Sequence, residues 1–116
     1  MKRGIRKRKR PPSHPGRILR ELYLEAFSVT VTALAERLNV SRKTLSKILN
    51  ERGSISVDMA LRLSRAFKTS PQVWLNLQRN YDLWLVASRS REWERVLPIE
   101  KSSYRDSKET LQESLR

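Results

Sequence analysis

The sequence predicts an all-α domain of five helices, preceded by a basic arm and followed by a C-terminal extension. Three observations carry that expectation. Apolar residues recur three and four positions apart, in blocks that each begin at a residue suited to cap a helix. No segment shows convincing strand alternation. The chain is 116 residues long, the size of one modest domain with room for tails.

Residues 1–13 read as a flexible arm. Lys2, Arg3, Arg6, Lys7, Arg8, Lys9 and Arg10 place seven positive charges, and no negative one, in the first ten residues. Like charges repel, and Pro11-Pro12 blocks a continuous helix into the domain. The domain itself is expected over 14–90.

His14-Pro15-Gly16 opens the first helix. Pro15 suits the first turn, where its missing N–H costs little, and Ile18, Leu19 and Leu22 supply an inward stripe. Leu24 to Val29 reads as a loop or a frayed end. Thr30 caps a second helix with Leu34, Ala35 and Leu38 inside. After a short Asn39-Val40 turn, Ser41 caps a third helix with Leu45, Ile48 and Leu49 inside. Two short helices joined so tightly make a helix-turn-helix. Arg52-Gly53 ends the third helix, Gly53 being free to turn left-handed.

Ser56 caps a fourth helix, with Asp58 in its first turn and Met59, Ala60, Leu63, Ala66 and Phe67 at core spacing. Ser70-Pro71 starts a fifth, whose apolar stripe is Trp74, Leu77, Tyr81, Trp84 and Leu85. Residues 91–116 form the extension: a short helical face of Trp93, Val96 and Leu97 before Pro98, then a polar tail.

Composition narrows the functional classes. The net charge of +13 is concentrated in the arm and in residues 31–50, which add a net three; residues 91–116 balance to zero. A field so placed attracts polyanions. With no cysteine, one histidine and no paired carboxylates at a suggestive spacing, the chain shows neither a catalytic constellation nor a metal-ligand cluster. No phosphate-binding loop is present, and the expectation is a non-enzyme without cofactor. No apolar run approaches the roughly 20 residues that span a bilayer, so no membrane association and a cytoplasmic location are expected. An RNA-binding module is disfavoured, because residues 1–50 carry only Tyr23 and Phe27 as stacking aromatics.

The third helix is the candidate reader of double-stranded DNA. An α-helix fits the major groove, where every base pair shows its own donor and acceptor pattern. Such a helix needs an apolar back and a polar front, and Ser41 to Asn50 has both. Arg42 and Lys43 suit guanine O6 and N7, while Thr44 offers a methyl to thymine or a hydroxyl to phosphate. Ser46 is a short polar contact and Lys47 a phosphate clamp. Asn50 either reads adenine or ends the helix. Thr30 and Thr32 stand at the start of the second helix, whose free N–H groups favour an anion. The arm suits either a narrow minor groove or bridging between phosphates.

One recognition helix reads few base pairs, so a homodimer on an inverted repeat is expected. Trp74, Tyr81, Trp84 and Trp93 are candidates for that interface or for a partner's, with the domain core as the competing use, favoured for Trp74.

From His14 to Trp84 the chain resembles the HigA family of toxin–antitoxin antitoxins, within the phage-repressor-like helix-turn-helix class. The resemblance rests on His14-Pro15-Gly16, on Val40 to Ser46, on Ile55 to Leu63, and above all on Thr69 to Gln78 followed by Tyr81-Asp82-Leu83-Trp84. It implies a lambda-repressor-like fold, a cognate HigB-like toxin of the RelE-like, messenger-RNA-cleaving type, and repression of the shared operon at a palindromic operator. Carried onto this chain, it implies groove reading by Arg42, Lys43, Thr44 and Lys47 with support from Thr32. The chain departs from the pattern in two places. Val31 stands where wider repressor relatives often carry glutamine, and both tails exceed the compact unit.

Overall fold

The computed structural model describes residues 10–101. Five helices are present among them, and no strand. α1 (Pro15–Ile18) continues without a break as a π-helical segment, Leu19–Leu24. There follow α2 (Val31–Leu38), α3 (Arg42–Leu49), α4 (Val57–Phe67), α5 (Pro71–Arg89) and a single 3₁₀ turn, Glu92–Arg95.

The four caps expected from sequence form by one chemistry. Side-chain oxygens of Thr30, Ser41, Ser56 and Ser70 each accept the N–H three residues on, at 3.0, 3.0, 3.1 and 3.3 Å. Each bond satisfies a donor that the first turn would leave orphaned.

The first helix departs from expectation. Leu22 is 60% exposed, whereas Leu24 is buried with Leu19. The cause is the π-helical segment, in which the Glu25 N–H reaches back five residues to the Arg20 carbonyl. The wider turn aligns residues five apart, so Leu19 and Leu24 share a face and Leu22 is rotated out. Ser28 ends the helix at φ 52°, in the left-handed region, and the Val29 N–H returns to the Leu24 carbonyl.

The core gathers Leu19, Leu24, Leu34, Leu38, Leu45, Ile48, Leu63 and Trp74, from all five helices. Trp74 is wholly buried, its indole N–H donating to Thr69 Oγ1 at 2.9 Å. Its ring lies 5.1 Å from Tyr23, which in turn packs 4.7 Å from Phe67. Trp74 is thereby a core residue and leaves the set of interface candidates. Val31 packs half-buried against this core.

Ala66 does not join it; its side lies open to solvent. In α5 only Trp74 and Gln78 are fully buried, and Leu77, Tyr81, Trp84 and Leu85 are covered in part. The face of Trp93, Val96 and Leu97 is exposed, at 44%, 76% and 80%. Lys2 to Lys9 of the arm and the tail beyond Lys101 lie outside the described residues.

The His14-Pro15-Gly16 start is a compact device. His14 is buried, and its Nδ1 accepts the Gly16 N–H at 2.9 Å. Its ring meets Tyr81 edge-on, with centroids 4.8 Å apart. Burial pushes the imidazole below its ordinary range, against the opposing pull of Glu51, a backbone hydrogen bond with Gly53, and Asp82. The neutral ring is therefore the folded form. Below the ordinary value of 6.5 the unfolded chain binds the proton that the fold refuses, so stability is complete above that pH and falls as pH drops below it. Thermal unfolding from pH 7.5 to 5 should show this fall for the native chain, and a flatter profile for His14→Asn, which keeps a capping acceptor. An equally steep profile in the variant would assign the effect elsewhere.

Candidate nucleic-acid interface

The outward face of α3 follows from its cap and its buried back. Leu45, Ile48 and Leu49 are buried; Arg42, Lys43, Thr44, Lys47 and Asn50 are exposed, and Ser46 is half-buried. No acidic residue occurs in α3. Among the described residues, Arg42, Lys43 and Lys47 make no ion pair and no side-chain hydrogen bond. The helix thus presents three cations and a threonine to solvent.

The hydroxyl of Ser41 is engaged inside the motif. It accepts the Thr44 N–H and donates to Thr44 Oγ1 at 2.9 Å. Ser41 is a cap first, and its hydroxyl fixes Thr44 while leaving the threonine proton free to donate outward. Thr30 is similarly held as the α2 cap, with Thr32 exposed in the first turn of the same helix. Asn50 takes the position after the last residue of α3, with its N–H on the Ser46 carbonyl. It ends the helix with its side chain in solvent.

The turn between α2 and α3 depends on Asn39, left-handed at φ 58° and ψ 47°. Asparagine tolerates this region better than other residues that carry a Cβ. The Val40 N–H returns to the Ala35 carbonyl at 3.0 Å. At the far end of α3, the left-handed residue is Glu51 at φ 62°, not Gly53. Gly53 instead lies close to α3: a Cβ there would lie 3.3 Å from Lys47 Cβ and 3.4 Å from Ile48 Cγ1.

Three polar side chains that sequence reasoning passed over hold this motif in place. Arg62 of α4 donates to the carbonyls of Leu38 and Asn39 at 2.7 and 3.1 Å, while Asp58 orients its guanidinium at 2.6 Å. Arg20 donates to the Leu49 carbonyl at the end of α3 and stands 3.9 Å from Glu51. These arginines satisfy the carbonyls that helix ends leave open. Buried Gln78 accepts the Ile55 N–H at 2.8 Å and donates to Asp82 at 2.9 Å, tying α5 to the loop after α3. The only sequence signal for Arg62 was the Asp58 four residues earlier.

The interface candidates divide. Tyr81 is half-buried between His14 and Trp84, and Trp84 is half-buried, whereas Trp93 is 44% exposed. Leu83 and Val86, not singled out from sequence, are 50% and 60% exposed on α5. Among the described residues no group of three potential metal ligands occurs, and no helix is long and apolar enough to cross a membrane.

Comparison with known proteins agrees with this geometry. Residues 19–74 match the helix-turn-helix family. An uncharacterized HTH-type transcriptional regulator of Haemophilus influenzae is 36% identical over 102 residues, spanning 88% of this chain and 95% of the relative. Antitoxin HigA-1 of Vibrio cholerae is 38% identical over 88 residues, 76% of this chain and 83% of the relative. The structure of Pseudomonas aeruginosa antitoxin HigA with the higBA promoter superposes with a TM-score of 0.72 at 41% identity, over 77% of this chain and 99% of that one. The family is one of helix-turn-helix DNA-binding antitoxins and transcription regulators, not of enzymes. Sequence kinship along the domain and a shared helical arrangement place the chain in the HigA antitoxin family, within the helix-turn-helix class of transcription regulators.

Proposed function

We propose that this chain binds and neutralises a cognate RelE-like, messenger-RNA-cleaving toxin, and represses its own operon by reading a palindromic operator. The observation that carries the DNA half is the outward face of α3, where Arg42, Lys43, Thr44 and Lys47 are exposed and the three cations have no internal partner among the described residues. In this reading Arg42 and Lys43 donate to guanine edges, Thr44 meets thymine or phosphate, and Ser46 adds a short polar contact. Lys47 holds phosphate, and Thr30 and Thr32 bring the start of α2 to the backbone. The solved structure of the Pseudomonas relative with the higBA promoter supports this half, and family membership supports the toxin half.

The test is a size-resolved binding assay of the full chain with its upstream DNA and the neighbouring gene product. The reading expects co-elution with that product and loss of its ribonuclease activity. A shift on DNA with no association would favour a stand-alone repressor, the reading supported by the Haemophilus relative named only as a regulator.

Two-fold symmetry would double the readout. The exposed end of α5, with Leu83, Val86 and the neighbouring Trp84, supplies apolar area for a dimer, and Trp93 lies just beyond it. Leu83→Lys with Val86→Glu should give a monomer by sedimentation and weaken operator binding about a hundredfold, through lost avidity. An intact dimer would move the interface elsewhere. Deleting residues 2–10 should weaken binding to all duplexes and flatten its salt dependence by about 0.9 log units per arm charge held on phosphate. An unchanged slope would remove the arm from the DNA footprint.

A further inference from the structure

A second surface lies on the side of α2 turned away from α3. A groove of about 610 Å³ runs between the loop after the first helix, α2 and α4, and no residue of α3 lines it. Its floor and walls are largely apolar. Phe27, 51% exposed, stacks on Phe67 with centroids 5.2 Å apart and planes within 16°. Ala33 and Ala66 are open to it, which explains why Ala66 sits outside the core despite its spacing.

The charge around this groove is of one sign. Arg37, Arg62 and Arg65 line it, and no carboxylate does. Arg62 is engaged by Asp58 and two carbonyls. Arg37 and Arg65 are exposed and, among the described residues, make no ion pair and no side-chain hydrogen bond. The groove between α5 and the start of α4 differs in this respect, since Arg79 there is accompanied by Asp82. Exposed aromatic area beside free guanidinium groups suits a ligand that carries apolar side chains and carboxylates together.

We infer that this groove is a docking site for an acidic, apolar-anchored segment of a partner protein: a leucine or phenylalanine side chain enters against Phe27 and Ala33, and flanking carboxylates pair with Arg37 and Arg65. Such docking goes beyond the toxin–antitoxin reading and stands whether or not the segment belongs to a toxin. The groove includes Thr30, at the start of α2, but no residue of α3, so docking there leaves the outward face of α3 open.

The probe is a synthetic peptide with a central Leu-Phe pair flanked by Asp and Glu, titrated into the full chain while backbone-amide resonances are followed. Mapping is needed as well as affinity, because the seven charges of the arm attract the same peptide. Saturable shifts should appear between Phe27 and Arg37 and between Arg62 and Phe67. A peptide with Lys in place of Asp and Glu should produce none. Arg37→Glu and Arg65→Glu should each weaken the groove-localised binding about tenfold, with thermal unfolding and duplex binding unchanged. Ala33→Phe should weaken it by filling the groove without altering charge. Shifts confined to other surfaces, equal shifts with the Lys peptide, or no saturable shift would overturn the proposal. So would a parallel loss of duplex binding in the two charge reversals, which would make these arginines phosphate contacts.

Discussion

Replacing Gly16 with alanine should cost about 3 kcal/mol or more, a large part of the stability of so small a domain. The usual expectation has the opposite sign, since Gly to Ala within a helix gains about 1 kcal/mol. Here a Cβ would overlap the Ile48 carbonyl oxygen and lie 2.8 Å from its carbon. Those atoms are backbone within α3, so no rotamer change can relieve the clash. The first helix would have to move away from α3, breaking the contact that Leu19 makes with the core and the Arg20 grip on Leu49. Chemical denaturation would read the loss as a lower midpoint. A Gly16→Ala chain whose stability stays within about 0.5 kcal/mol of the native value, the range of a neutral surface change, would mean that the two helices approach less closely at this point. Operator binding should fall with the folded fraction.

The second large effect is on recognition. Arg42→Ala and Lys43→Ala together should lower affinity for the upstream operator about a thousandfold, while random-sequence duplex binding falls far less. Each guanine contact contributes about 1–3 kcal/mol of discrimination, and two of them act together. Both residues are exposed and, among the described residues, make no ion pair or side-chain hydrogen bond, so melting temperature should not change by more than about a degree or two. Fluorescence anisotropy at one fixed salt concentration, with operator and scrambled duplexes side by side, gives the ratio. Equal losses on both duplexes would reassign the two cations from base edges to phosphate.

What could be read in advance was local. Thr30, Ser41, Ser56 and Ser70 each bond a backbone N–H three residues away, and such reach is visible in a string of letters. The split of α3 into buried Leu45, Ile48 and Leu49 and an exposed polar face also followed from period alone. The illegible parts are those where geometry departs from the standard period or where partners are distant. Leu22 and Leu24 exchanged places because a π-helical turn aligns residues five apart, and no residue type announces it. Glu51, not Gly53, is the left-handed residue after α3, while Gly53 lies close to Lys47 and Ile48. Arg62 and Arg20 found carbonyls 24 and 29 residues away in sequence, and Gln78 found a donor 23 away. Periodicity is blind to such bonds. The exposure of Arg42, Lys43, Thr44 and Lys47 was legible, since a polar face needs only composition and spacing.

Arg20 and Arg62 hold the helix-turn-helix by backbone oxygens at Leu38, Asn39 and Leu49, and neither touches an outward side chain of α3. Scaffold and text are therefore separable. The side chains of Arg42 and Lys43 can be rewritten without losing those backbone bonds. If the proposed reading holds, duplicated genes would diverge in operator through these exposed side chains while keeping the same backbone bonds.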